Sequence, residues 1–139
     1  MSTAIDETQA RIIEEFSALD DSLDRYERLI DLGRRHDPPD EQLRSAEHAI
    51  PGCQSQVWIR AEVRDGRLHL HADSDSLIIR GVLALLLRVL DGRRPAEVAA
   101  ADLHFLEEVG LTTHLSPSRA NGVATIVRHL QRSAAELGE

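Results

Sequence analysis

Apolar residues recur every three to four positions over residues 3–19. Ile5, Ile12, Ile13, Phe16 and Leu19 share one broad face, which predicts a helix. Asp20 and Asp21 interrupt it, and either can cap a second helix over 21–35, with Leu23, Tyr26, Leu29 and Ile30 as its apolar stripe. Pro38 and Pro39 place a loop or turn over 34–41. The period then changes to two. Val57, Ile59, Ala61 and Val63 alternate with Trp58, Arg60 and Glu62, the pattern of a half-buried strand. Residues 67–73 alternate likewise, with Leu68, Leu70 and Ala72 inward. Between the two runs lies Asp65-Gly66, a pair favoured in two-residue type I′ hairpin turns. Such a turn sets Arg64 opposite Arg67, Val63 opposite Leu68, Ala61 opposite Leu70 and Ile59 opposite Ala72. Glu62 then faces His69, and Arg60 faces His71.

Asp73-Ser74-Asp75 is expected to cap a long helix reaching about residue 90. Its run of Leu77, Ile78, Ile79, Val82, Leu83, Leu85, Leu86 and Leu87 is apolar nearly all round, which places it centrally in the core. Asp91-Gly92 ends it. Short helices are expected from Pro95 to about 101 and over 103–109. Ser116-Pro117 opens a last helix to about 137, burying Val123, Ile126, Val127 and Leu130. No internal repeat or low-complexity segment is visible. The predicted class is α+β, one domain over 1–139: a small antiparallel sheet, a hairpin plus a third strand, packed on one face by helices.

The length of 139 residues lets roughly two-thirds of the unfolded chain's surface be buried. The net charge of −8, from 24 acidic and 16 basic residues, argues against binding nucleic acid or an anionic membrane. Every basic residue is Arg. Without Lys the chain cannot hold pyridoxal phosphate or a carbonyl substrate as a lysine Schiff base, and it has no P-loop lysine. The single Cys excludes an intrachain disulfide and a multi-cysteine zinc site. Residues 1–6 lack the basic flank and apolar run of a signal peptide. The most apolar stretch, 81–87, lies between Arg80 and Arg88 and falls short of the ~20 apolar residues of a membrane span. A reducing cytoplasmic setting is the expectation.

A lone Cys is most often a small buried hydrophobe. Cys53, however, lies in Pro51-Gly52-Cys53-Gln54-Ser55-Gln56, among Gly and polar residues in a turn before a strand, and reads as an accessible reactive thiol. The hairpin register brings this turn to the sheet end that holds Asp73-Ser74-Asp75. A helix N-terminus there favours a thiolate, while the charge of Asp75 opposes one. His69-x-His71-x-Asp73-x-Asp75 has the spacing of a metal motif, but the hydrolase pattern also needs a His directly after the Asp, where Ser74 stands. These residues are expected to cover the solvated sheet face and cap the helix, so no metal is assigned. His114, Ser116 and Cys53 suggest a hydrolase, yet no G-x-S-x-G elbow is present and Ser116 is accounted for as a cap. Arg119 stands in a first helical turn, where an acid suits the dipole. That hints at an anion or partner contact, against the simpler reading of an exposed arginine.

Three stretches together resemble the SufE family of sulfur acceptors, which includes CsdE. They are 51–58 (PGCQSQVW), 72–81 (ADSDSLIIRG) and 114–122 (HLSPSRANG). The segment from Asp24-Arg25-Tyr26 to Asp31-Leu32-Gly33 fits as well, and the likeness covers about residues 10–135. The resemblance implies a fold like that of IscU-type scaffolds without their metal-binding cysteines. It implies a partner, a SufS-type cysteine desulfurase that carries the pyridoxal phosphate and leaves a persulfide on its own cysteine. Cys53 would take the terminal sulfur, stimulate that enzyme and deliver sulfur to an iron–sulfur scaffold of the SufB type. Gly52, Gln54, Ser55, Asp75, His114 and Arg119 would support the site or contact the partner. The single Cys agrees, since a second thiol nearby would release the sulfur as sulfide. Two other classes stay open: a redox-sensing or peroxide-reactive thiol protein, and an adaptor whose Cys is incidental.

Overall fold

The structure, a computed structural model, describes residues 4–19, 21–37, 41–52, 55–110 and 117–138, with side chains in the last segment from Ala120 onward. Helices α1 (Ala4–Ser17) and α2 (Ser22–Arg35) and a single 3-10 turn (Glu41–Leu43) precede a hairpin of β1 (Val57–Arg64) and β2 (Arg67–Ser74). Helices α3 (Leu77–Leu90), α4 (Pro95–Ala100), α5 (Phe105–Glu108) and α6 (Pro117–Leu137) follow. The fold is α+β, a small antiparallel sheet packed with helices. Asp21 caps α2, its carboxylate accepting the Leu23 N–H at 2.9 Å. The predicted cap at Ser116 lies outside the described residues.

The hairpin has the register that the turn pair dictates, from Arg64 opposite Arg67 to Val57 opposite Ser74. Asp65 (φ 55°) and Gly66 (φ 76°) are both left-handed, as a type I′ turn requires. The expected third strand is reduced to one bridge, Ala49 to Trp58. Around it the Ile50 N–H donates to the Val57 carbonyl and the Ile59 N–H to the His48 carbonyl, each at 2.9 Å. The outer edge of β2 is closed by the chain leaving α3. Leu68 exchanges bonds with Arg93 and Gly92 at 2.8 Å each, and the Asp91 carboxylate accepts the Leu70 N–H at 2.8 Å.

Burial along the hairpin is uneven. Val57 and Ile59 are buried, Ala61 is half-buried and Val63 is exposed, because the tip projects past the helices. The opposite face was expected to be solvated throughout. At the base it is not: Trp58 and Asp73 are buried beneath the segment that follows the 3-10 turn. The helix cap also differs from expectation. Ser74 stays in the strand and Ser76 caps α3, its hydroxyl accepting the Ile79 N–H at 3.4 Å.

Helix α3 is the centre of the core, with Ile78, Ile79, Val82, Leu83, Leu85, Leu86, Val89 and Leu90 buried. Helix α2 crosses it antiparallel at very short range. A Cβ built on Gly33 would lie 2.2 Å from the Leu77 carbonyl oxygen, and one on Gly81 would lie 2.1 Å from that of Leu29. Only glycine at both positions permits the approach. Leu23, read as part of the α2 stripe, is 59% exposed. Six residues before Leu29, it is turned ~120° from the face that meets α3. Helix α6 buries Val123, Ile126, Leu130 and Ala134. Its Gln131 amide donates to the carbonyls of Val98 (3.2 Å) and Ala101 (2.8 Å) at the end of α4. Among the described residues no helix is long and apolar enough to cross a membrane.

Two measurements follow from this packing. Gly81→Ala must drive α2 and α3 apart, and urea denaturation should show a loss of ~3 kcal/mol or more. An unchanged midpoint would contradict the close crossing. The second concerns His129 on α6, half-buried beside Glu47, His48 and Ile59. Burial lowers its pKa below 6.5, Arg132 adds to the effect, and Glu136 opposes it. Below 6.5 the unfolded chain therefore binds a proton more readily than the folded one, so stability falls with pH through this interval. His129→Gln should lose less stability than the native chain between about pH 7.5 and about pH 5.5. Equal losses would show that this histidine does not contribute.

Candidate functional site

Cys53 and Gln54 lie outside the described residues, as do His114 and the side chain of Arg119. The residues on either side of Cys53 are tied to β1, β2 and the start of α3. The incoming limb ends at Ile50, which is 7% exposed and bonded to Val57. Gly52 follows with φ +88°, a left-handed conformation that glycine adopts without strain, and it lies close to Thr125 of α6. Ser55 is half-buried.

The outgoing limb is gripped at Gln56. Its N–H donates to the Asp75 carboxylate at 3.0 Å, and its carbonyl accepts the Asp75 N–H at 3.3 Å and the Ser74 hydroxyl at 2.7 Å. The Ser74 oxygen in turn accepts the Ser76 N–H at 3.1 Å, next to the start of α3. Ser74 is fully buried, and its hydroxyl has a partner on both sides. The sequence expectation that the Cys53 turn and residues 73–75 share one end of the sheet is met at Gln56. Asp75 binds loop backbone instead of capping the helix, because Ser76 takes the cap.

Beneath this grip lies Asp73, 1% exposed. One carboxylate oxygen accepts Arg44 Nε at 2.8 Å. The other accepts the Ser74 N–H at 2.8 Å and faces Arg80 Nε at 3.3 Å. The Arg44 guanidinium lies 4.8 Å from the Trp58 ring centre, within cation–π range. Arg80 also donates to the His36 carbonyl, and His36 Nε2 lies 2.6 Å from the Ala72 carbonyl oxygen. One carboxylate thus joins the loop leading to Cys53, the hairpin, α3 and the end of α2.

With both oxygens of Asp73 engaged by cations and backbone, the His69-His71-Asp73-Asp75 series does not converge. Among the described residues no group of three His, Asp or Glu side chains is placed to hold a metal ion. Arg44 was not singled out from the chain, and Trp58, Ser74 and Arg80, though within the stretches that carry the resemblance, were given no role in pairing Asp73. A signal existed for one of them: an Asp at a strand position that becomes buried requires a cation. No spacing rule names Arg44 as that cation. Removing the hydroxyl in Ser74→Ala leaves the Gln56 carbonyl and the Ser76 N–H each short of a partner. The expected loss is ~1–3 kcal/mol, with faster amide exchange at Gln56. Asp75→Asn keeps an acceptor for the Gln56 N–H and should perturb exchange less. The reverse order would show that Ser74 is not the main tie.

Comparison with known proteins places this arrangement. Residues 10–134 match the SufE family, described as an Fe–S metabolism associated domain. A SufE-like protein of Synechocystis is 38% identical over 125 residues, covering 90% of this chain and 79% of its own. Another, from Rhizobium meliloti, is 35% identical over 129 residues, covering 89% and 92%. SufE-like protein 1 of Arabidopsis thaliana, named as chloroplastic/mitochondrial, is 35% identical over 127 residues; the match covers 91% of this chain but 34% of that longer protein. The solution structure of a hypothetical protein from Thermus thermophilus superposes with a TM-score of 0.76. It covers 94% of this chain and 95% of its own at 21% identity, and so shows a common fold. The chain belongs to the SufE family, which ties it to sulfur transfer in iron–sulfur metabolism.

Proposed function

We propose that residues 1–139 act as one domain that carries sulfur as a persulfide on Cys53, taken from a SufS-type cysteine desulfurase. The observation that supports this most is the family match over residues 10–134, which includes the chain's only thiol. The partner's cysteine presents a persulfide. The Cys53 thiolate attacks its terminal sulfur, a new S–S bond forms on Cys53, and the partner's S–S bond breaks with its thiolate as leaving group. No net oxidation occurs, so the step needs no electron acceptor. Pyridoxal phosphate resides on the partner alone, since this chain has no lysine to bind it, and no metal takes part.

In this reading Gly52, Gln54, Ser55 and Asp75 shape and support the Cys53 loop, and His114 and Arg119 contact the partner. The sulfur passes to an iron–sulfur scaffold of the SufB type, and the setting is the cytoplasm. The acidic chain suits protein partners over nucleic acid.

Incubation with a SufS-type desulfurase and cysteine should add about 32 Da, one sulfur atom, to the intact chain under non-reducing mass spectrometry. Cys53→Ser should bind the desulfurase, take no sulfur and give no stimulation. Full stimulation by that variant, or an adduct elsewhere, would overturn the assignment. Reaction with peroxide without any stimulation would instead identify a redox thiol.

A further inference from the structure

We infer that Arg44 and Asp73 are positioning residues that hold the incoming limb of the Cys53 loop, an inference that rests on the sulfur-carrier reading. The outgoing limb is held at Gln56 by Ser74 and Asp75. The incoming limb starts at Arg44, nine residues before Cys53, and makes bends and turns up to the bridge at Ala49. Its backbone ties to β1 are the bonds at His48 and Ile50. A side-chain tie is Arg44 Nε on Asp73 at 2.8 Å, with the guanidinium carbon over the Trp58 ring. Consecutive residues of one strand end therefore grip both limbs, Asp73 the incoming one and Ser74 the outgoing one. The residues between the two anchored ends are 51–55, and Cys53 is the middle one.

The chemistry of the pair supports a positioning role over a stabilising one. Burying the Asp73 carboxylate costs desolvation that its cations only partly repay, and Arg44, whose side chain is 45% exposed, adds little net stability through an attraction that water screens. A carboxylate with both oxygens engaged, and a guanidinium fixed by one N–H and one ring face, give direction instead. Asp73 Oδ1 also accepts the Ser74 N–H, so a shift at Arg44 reaches the residue whose hydroxyl holds Gln56. Arg80 keeps Asp73 paired from the α3 side when Arg44 is replaced, which lets the incoming limb be loosened without leaving the carboxylate unpaired.

The test compares Arg44→Gln and Arg44→Lys with the native chain by hydrogen exchange, by alkylation of Cys53 with iodoacetamide, and by titration against a SufS-type desulfurase. Arg44→Gln should speed exchange over residues 45–57 by about tenfold or more while α3 and α6 keep their protection. Alkylation should change at least about threefold, and maximal stimulation should drop about tenfold with the half-saturating concentration changed less than about twofold, since misplacing a reacting atom costs turnover more than binding. Arg44→Lys restores a cation beside Asp73 without the planar face for Trp58. It should recover the exchange protection in large part and the stimulation only in part. Unchanged exchange and alkylation in folded Arg44→Gln would overturn the inference. Exchange that rises equally in α3, α6 and the limb would also overturn it, by showing a purely structural pair. Exchange and alkylation require no desulfurase. If the native chain takes up no sulfur, the proposed function fails while these two readings still decide the role of Arg44.

Discussion

A carboxylate with almost no contact with water must be matched by cations and N–H donors, and much of the site end of this molecule is arranged around meeting that demand at Asp73. Arg44 approaches from the loop and Arg80 from α3, while the Ser74 N–H closes the remaining direction. Each donor brings its own element along. Arg80 continues to the His36 carbonyl at the end of α2, and His36 reaches the Ala72 carbonyl on the edge of β2. Helix pair, hairpin and loop are tied at one place, directly below the residues that hold Gln56.

That arrangement depends on how closely α2 and α3 run. With a side chain at Gly33 or Gly81 the helices would separate, and the end of α2 would withdraw from Arg80. The close crossing and the buried carboxylate are therefore linked, since backbone contact at Gly33 sets His36 three residues later. The apolar run of α3 supplies the rest of the constraint. Its buried residues meet α1 and α2 on one side and the inward face of β2 on another, leaving α3 little freedom to shift.

For the proposed transfer, the residues on either side of Cys53 are tied to a buried scaffold. A persulfide exchange makes one S–S bond as it breaks another, so the carrier supplies placement more than driving force. The scaffold around residues 73–76 is buried, paired and anchored to the core helix. The five residues 51–55 are the span between anchors, and Gly52 provides a left-handed turn within it. A carrier that must reach another protein's cysteine gains from a thiol borne on a firm base.

The chain by itself determined the local elements. Val57 to Val63 and Leu68 to Ala72 alternate with period two around Asp65-Gly66, and that pattern is enough to set the hairpin register, because a slip by one residue would turn every apolar side chain outward. The apolar α3 was legible for the same reason: period and turn chemistry are properties of neighbouring residues. Leu23 was misread because an apolar residue within a helix was counted without its angle to Leu29. The solvated-face reading failed at Trp58, and the cap reading at the buried Asp73, because alternation tells which residues share a face but not what covers it. Tertiary structure alone decided that Arg44 lies on Trp58 and Asp73, that Ser76 and not Asp75 caps α3, and that α2 touches α3 through two glycines. Each of these joins residues far apart in the chain or chooses between equally good local partners. At Asp73 the reason is burial, which excludes water and makes partners from distant elements necessary.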